Sequence, residues 1–144
     1  MNPKTAKRLA LLCLILLAFA AACGGLGGEP AALSDEEVRQ AAVSSLQALD
    51  AGDKAAFVEN FSDTMKEAYN DQEFANLQAL IGESSGKLVS CGEPQLSNLQ
   101  GYARYSFPCE YEKEEVVVTF VYEVGGSLVE GLFFNSANLR SMTQ

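Results

Sequence analysis

Apolar and polar residues follow two different periods along this chain, and the change falls near Lys87. From residue 34 to residue 82 apolar positions recur at three and four, the spacing of helices with one buried face. Ser34-Asp35-Glu36-Glu37 opens the first helix as a capping box: the Ser34 hydroxyl can accept from the third amide while Glu37 bonds back. Acids in that first turn also suit the positive end of the helix dipole. Val38, Ala41, Ala42, Ser45, Leu46 and Leu49 then mark one face, and Gly52 ends it. Asp53 caps a second helix in which Phe57 and Phe61 lie one turn apart. Ser62 or Asp63 begins a short segment with Met65 and Tyr69. Asn70 or Asp71 caps a third helix, with Phe74, Leu77 and Ile81 inward and Gly82 at its end.

Beyond Lys87 the period is two, and strands are expected over about 87–92, 102–110, 115–124 and 128–134. Leu99-Gln100-Gly101 suits a three-residue hairpin loop with Gly in the left-handed position. That loop pairs Asn98 with Tyr102, and counting back without a bulge sets Cys91 opposite Cys109. In the next hairpin, a four-residue loop Tyr111–Glu114 sets Cys109, Phe107, Tyr105 and Ala103 against Val116, Val118, Phe120 and Tyr122. A slip of one would set Phe107 against Thr119 and Ala103 against Glu123, so the faces select the first register. Gly125-Gly126 makes a tight turn into the last strand. Helices followed by an antiparallel sheet give an α+β fold: three N-terminal helices on one side of a curved sheet of about four strands. One sheet face carries Tyr105, Phe107, Val118, Phe120 and Tyr122. The other is expected to offer Val117, Val121, Leu132 and Phe134, so both faces call for a cover. A bulge at Gly131 would redistribute the last strand between them.

The amino-terminal segment changes the picture. Lys4, Lys7 and Arg8 lead into an uncharged apolar run from Leu9 to Ala22. As a helix that run reaches only about 21 Å, short of a ~30 Å hydrocarbon core. It ends in Ala20-Ala21-Ala22-Cys23, so the pattern is that of a secretory signal peptide, residues 1–22. Small residues directly before a cysteine resemble the bacterial lipoprotein signal. The resemblance implies a diacylglyceryl group on the Cys23 thiol and cleavage on its amino side. It departs from that pattern at Ala20, where Leu is usual, and ordinary cleavage after Ala22 is the alternative. Cys13 follows Leu12, which is too large for such a site. Residues 23–33 read as the lipidated Cys and a flexible tether, and ten such residues span roughly 16–19 Å as a coil. The expected address is therefore the extracytoplasmic side of a cell membrane, with the lipid anchor as membrane partner.

The whole chain carries 10 basic and 19 acidic residues, a net charge of −9, and no His. Loss of residues 1–22 removes Lys4, Lys7 and Arg8 and leaves seven basic residues against 19 acidic ones. Such a domain is repelled by nucleic-acid phosphates and by anionic headgroups. In an exported chain, Cys91 and Cys109 are most simply one disulfide. With no His, two thiolates make no familiar zinc set, and neither a metal nor a cofactor is expected.

Leu49-Asp50-Ala51-Gly52-Asp53, then Ala56, Phe57, Phe61 and Met65, with a final strand holding Gly131-Leu132-Phe133-Phe134, resembles the nuclear transport factor 2-like (cystatin-like) superfamily. More narrowly, it is similar to a bacterial domain-of-unknown-function branch found in lipoproteins and beside some hydrolase domains. The resemblance covers roughly residues 34–136 and leaves 137–144 as a tail. It implies a cone-shaped fold with a pocket at its open end and dimers formed through the outer sheet face. Enzymes of that superfamily place Asp, His or Tyr in the cone. Here only Tyr69, Tyr105, Tyr122 and Asp63 are available, residue types more often core or helix cap, and no catalytic residue is assigned. The expected function is non-enzymatic binding or interaction. A small apolar ligand would meet Phe57, Phe61, Tyr69, Tyr105, Phe120 and Tyr122, unless these side chains simply fill the interior. A second copy or another envelope protein would meet the outer face.

Overall fold

The computed structural model describes residues 33–142. The expected signal peptide, Cys23 and the expected tether up to residue 32 lie outside the described residues. Local sequence sets the helices. In α1 (Asp35–Ala51) the Ser34 hydroxyl accepts from the Glu37 amide, Glu37 takes the Ser34 amide in return, and Gly52 closes the helix at φ +74°. Asp53, Ser62 and Asn70 cap α2 (Lys54–Phe57), α3 (Asp63–Ala68) and α4 (Asp71–Ser84).

Four helices thus precede the sheet, where three were expected. The difference lies in residues 53–69. Phe61 does not continue the helix of Phe57 but leaves it and forms a parallel bridge to Val129. The Ser62 amide donates to the Val129 carbonyl at 3.0 Å and the Val129 amide to the Asn60 carbonyl at 2.8 Å. Gly82 lies inside α4, which runs on to Ser84 before Gly86 turns the chain at φ +81°.

The sheet is open and antiparallel, with five strands where about four were expected: β1 (Leu88–Cys91), β2 (Gln95–Leu99), β3 (Tyr102–Tyr111), β4 (Glu115–Glu123) and β5 (Val129–Asn135). The β3–β4 register is the expected one, with Phe107 against Val118 and Tyr105 against Phe120. The first hairpin differs. Its turn has two residues, Gln100 and Gly101, both at positive φ (50° and 85°), so Leu99 faces Tyr102. That pair of conformations matches the right-handed strand twist.

The offset of one is absorbed at Gly92-Glu93-Pro94, where β1 gives way to β2, and Cys91 still meets Cys109. The break lies opposite Pro108. Proline has no N–H for the ladder and is tolerated where pairing lapses. The Gly92 amide donates to the Pro108 carbonyl at 2.8 Å, and a Cβ on Gly92 would sit 3.1 Å from the proline ring. That bond leaves Cys91 and Cys109 as a close, non-hydrogen-bonded pair, and their disulfide is formed.

The last strand carries a one-residue bulge beside Gly131. Gly131 faces Val121 while Val129 faces Tyr122, so Glu130 is the extra residue. Beyond the bulge, Leu132 pairs with Phe120 and Phe134 with Val118, which puts both on the helix-covered face. This corrects their expected placement on the outer face; Phe133, opposite Thr119, stands there in their stead and is 59% exposed. The expected tail is also structured: α5 (Ala137–Met142) packs Leu139 into the core. The core proper lies between α1 and α4 on one side and β3–β5 on the other, around Leu46, Phe57, Phe61, Phe107 and Phe120.

Opening the Cys91–Cys109 bridge frees a loop with a sequence separation of 18. Cys91→Ala together with Cys109→Ala is expected to cost about 3 kcal/mol of unfolding free energy. Urea denaturation of the oxidised and doubly substituted chains checks this; equal midpoints would show that the sheet register holds without the bridge.

Candidate functional site

The aromatic residues expected to line a pocket divide into two groups. Phe57, Phe61, Phe120 and Tyr122 are almost fully buried, and Tyr105 nearly so. Phe57 meets Phe61, Tyr69 and Phe74 with ring centroids 5.0 to 5.4 Å apart, and Tyr105 stands edge-on to Tyr122 at 5.8 Å. These geometries are those of packed core rings. Beside Tyr105 and Tyr122 lies a cavity of about 30 Å³, walled also by Leu33 and Val38 and large enough for one water. Of the six, Tyr69 lines a larger space among the described residues.

That space is an open groove of about 330 Å³ between α4, β5 and α5. Leu77, Leu80 and Ile81 of α4 form one wall, Leu132 and Phe134 of β5 the floor, and Leu139 of α5 the other wall. Tyr69 closes one end and Arg140 lies at the rim. The groove exists because the Glu130 bulge turns Leu132 and Phe134 toward the helices while α5 folds back over them. Its size falls at the lower end of small-molecule sites, and its lining is apolar with few polar groups, as such sites usually are.

The wall formed by α5 hangs on one carboxylate. Glu114, at the end of the β3–β4 turn, accepts from Ser85 Oγ and Ser136 Oγ, both at 2.7 Å, through Oε1. Its Oε2 accepts from the Asn138 amide at 3.1 Å. Asn138 Nδ2 in turn donates to the Ser84 carbonyl at 3.0 Å, joining α5 to the end of α4. Partial desolvation pushes the Glu114 carboxyl up, but the Ser136, Ser85 and Asn138 hydrogen bonds and the nearby Arg140 charge outweigh it and hold it below the ordinary range. Arg140 donates to Asn135 Oδ1 and so leans over the same turn.

Acid–base groups do not converge in the groove. Burial pushes the Tyr69 and Tyr105 phenols up, with Asp35 adding to the latter, and the Tyr122 phenol up to about 12. Near neutral pH these phenols are therefore neutral donors and no bases. Asp63 is exposed in the first turn of α3, at the surface of the domain. Val117 and Val121 lie half-buried on the outer sheet face, as expected, where Leu99, Tyr102, Arg104, Val121 and Phe133 line a shallow depression of about 310 Å³. Leu80, Leu139, Arg140 and Glu114 were not singled out from the sequence. Ser136 was the available signal, since serine is a preferred residue at the start of a helix, and its hydroxyl accepts from the Leu139 amide at 3.2 Å.

A family model described as "Protein of unknown function (DUF3887)" matches residues 42–129, more than half of the chain. The chain belongs to the DUF3887 family. No curated protein and no solved structure matches it. The matched span takes in most of α1 and the strands through β4, ending where β5 begins, so α5 and most of the groove floor lie beyond it.

Glu114→Gln removes the charge from this anchor but keeps its shape. A folded-state pKa below the ordinary 4.5 means stability that is present above pH 4.5 and lost as pH falls through the lowered value. Urea unfolding at pH 7 is expected to show the variant about 1–2 kcal/mol less stable, from the loss of charge-assisted hydrogen bonds. The gap should narrow as pH falls below 4.5. No gap at pH 7 would show that Glu114 acts through shape alone, and a gap that does not change with pH would show that its charge is not the cause.

Proposed function

We propose that this DUF3887 chain is a lipid-anchored, extracytoplasmic module that binds a small apolar molecule without transforming it. The observation that carries the binding reading is the groove between α4, β5 and α5: about 330 Å³, lined by leucines and Phe134, and opening to solvent. The anchoring reading is supported by the sequence before residue 24 and by the Cys91–Cys109 bridge, a bond that persists in oxidising compartments. The absence of His from the chain and the raised phenols support binding over acid–base chemistry. The resemblance to the nuclear transport factor 2-like superfamily agrees with a ligand held between helices and sheet.

Medium-chain fatty acids and aromatic probes should raise the thermal midpoint of the chain, by the linkage that stabilises any state that binds ligand; at 100 times Kd the gain is about 2.7 kcal/mol. Leu80, half-exposed at the groove wall, can be replaced without opening the core. Leu80→Glu should abolish the shift and leave the unliganded midpoint nearly unchanged. A midpoint that moves with no probe in the panel, or moves equally in the variant, rules the groove out as the site.

A second reading, assembly through the outer sheet face, is favoured by one observation. Phe133 is 59% exposed on that face and lies with Val121, Tyr102 and Leu99 around a shallow depression. A self-complementary patch of this kind gives a two-fold dimer. Light scattering should then report twice the chain mass, falling to one in Val121→Glu. A monomer at high concentration in both would exclude it.

A further inference from the structure

We propose that the end of the sheet formed by the β2–β3 and β4–β5 turns rests on the surface of a phospholipid bilayer. This rests on the anchoring reading above. Four large apolar residues at that end, Leu99, Tyr102, Val124 and Leu128, are between 41% and 64% exposed. The turns that carry them are neighbours, because the Val124 amide donates to the Gly101 carbonyl at 2.9 Å and ties the two together. Scattered apolar residues need no explanation, but a cluster at two adjacent tips marks a contact site.

Charge sets these tips apart. Residues 96–103 and 124–129 contain no charged side chain, in a chain of net charge −9. The opposite end of the sheet, at the β3–β4 turn, carries Glu110, Glu112, Lys113, Glu114 and Glu115. Around the tips the charged neighbours are Arg104, Glu123, Glu130 and Asp35. The acids among them disfavour anionic headgroups and leave a zwitterionic surface as the fitting partner.

The place where the described chain begins selects the bilayer as occupant. Leu33 lies against Tyr105, Tyr122, Gly125 and Gly126, at this same end of the sheet. Only residues 24–32 separate it from Cys23, and ten residue steps reach at most about 35 Å even fully extended. An acyl group on Cys23 would hold the tips within a few nanometres of lipid. Tyrosine and leucine at an uncharged loop tip suit the headgroup boundary, the tyrosine for its apolar ring and polar end.

The chain contains no Trp, so single tryptophans report position directly. The full chain is extracted from membranes, its mass is read for acylation at Cys23, and it is reconstituted into phosphatidylcholine vesicles with brominated acyl chains. Three variants are compared: Leu99→Trp, Val124→Trp, and Val89→Trp as an exposed control in β1 at the far end. The expected result is blue-shifted emission and loss of intensity for the first two and neither for the third. An acylated chain whose tip tryptophans are quenched no more than the control overturns the docking and leaves the anchoring intact. An unmodified Cys23 overturns the anchoring; quenching at the tips on adding that chain to vesicles would still support the lipid contact, and its absence would overturn both. A blue shift of Leu99→Trp that grows with protein concentration without lipid overturns the docking in favour of a second copy of the chain.

Discussion

The central strand β3 has to satisfy two sides at once. On one side it bonds β4 without interruption from Tyr102 to Glu110, and that register decides which side chains face the helices. Because side chains alternate, a slip of one would turn Tyr105, Phe107 and Cys109 out of the core together. On its other side β3 meets two separate strands whose registers differ by one. The tight Gln100-Gly101 turn dictates the register of β2, and Cys91 dictates that of β1. Pro108 makes the two compatible, since a residue without an N–H costs the ladder nothing where the partner strand breaks. Buried face, turn and disulfide are therefore one constraint expressed at three points of the same strand.

Local chemistry was legible in the sequence wherever one residue type has one cheap solution. Ser34, Asp53, Ser62 and Asn70 cap helices because their side chains can take amides that the first turn leaves unpaired. The β3–β4 register was legible because two apolar faces would have been mismatched by any slip. The disulfide was reached through a wrong intermediate: a three-residue turn and an unbroken count give the same cysteine pair as a two-residue turn and a one-residue break. The placement of Leu132 and Phe134 failed for a related reason. A single extra residue, Glu130, exchanges the faces of the strand beyond it, and Leu-Phe-Phe carries no alternation that would reveal the exchange. α5 was read as a tail because six residues are too few for a helical period to show.

The candidate site was the least legible part, and packing explains why. Six aromatic residues at core spacing offer no way to tell a filled interior from a lined one. In the structure Phe57, Phe61 and Phe120 fill it, and Tyr69 alone reaches the groove. The groove belongs to residues far apart in sequence: Leu77 and Leu80 on α4, Leu132 and Phe134 after the bulge, Leu139 on α5. None of these positions differs in type from an ordinary core leucine or phenylalanine. What makes them a groove is that α5, joined to the end of α4 through Asn138 and Ser84, leaves a space between itself, the rest of α4 and β5.

The placing of α5 leads back to the central strand. Glu114 stands in the β3–β4 turn, so its position follows from the register of β3 against β4. From there its carboxylate holds Ser85 at the end of α4 and Ser136 and Asn138 at the start of α5. The separation of the groove walls is thus set at their base by one side chain, and the floor between them by one bulge. A molecule entering the groove would contact both helices and the strand that follows the bulge. Because the groove between α4 and α5 opens to solvent, it is the part of the fold that a bound apolar molecule could most readily tighten.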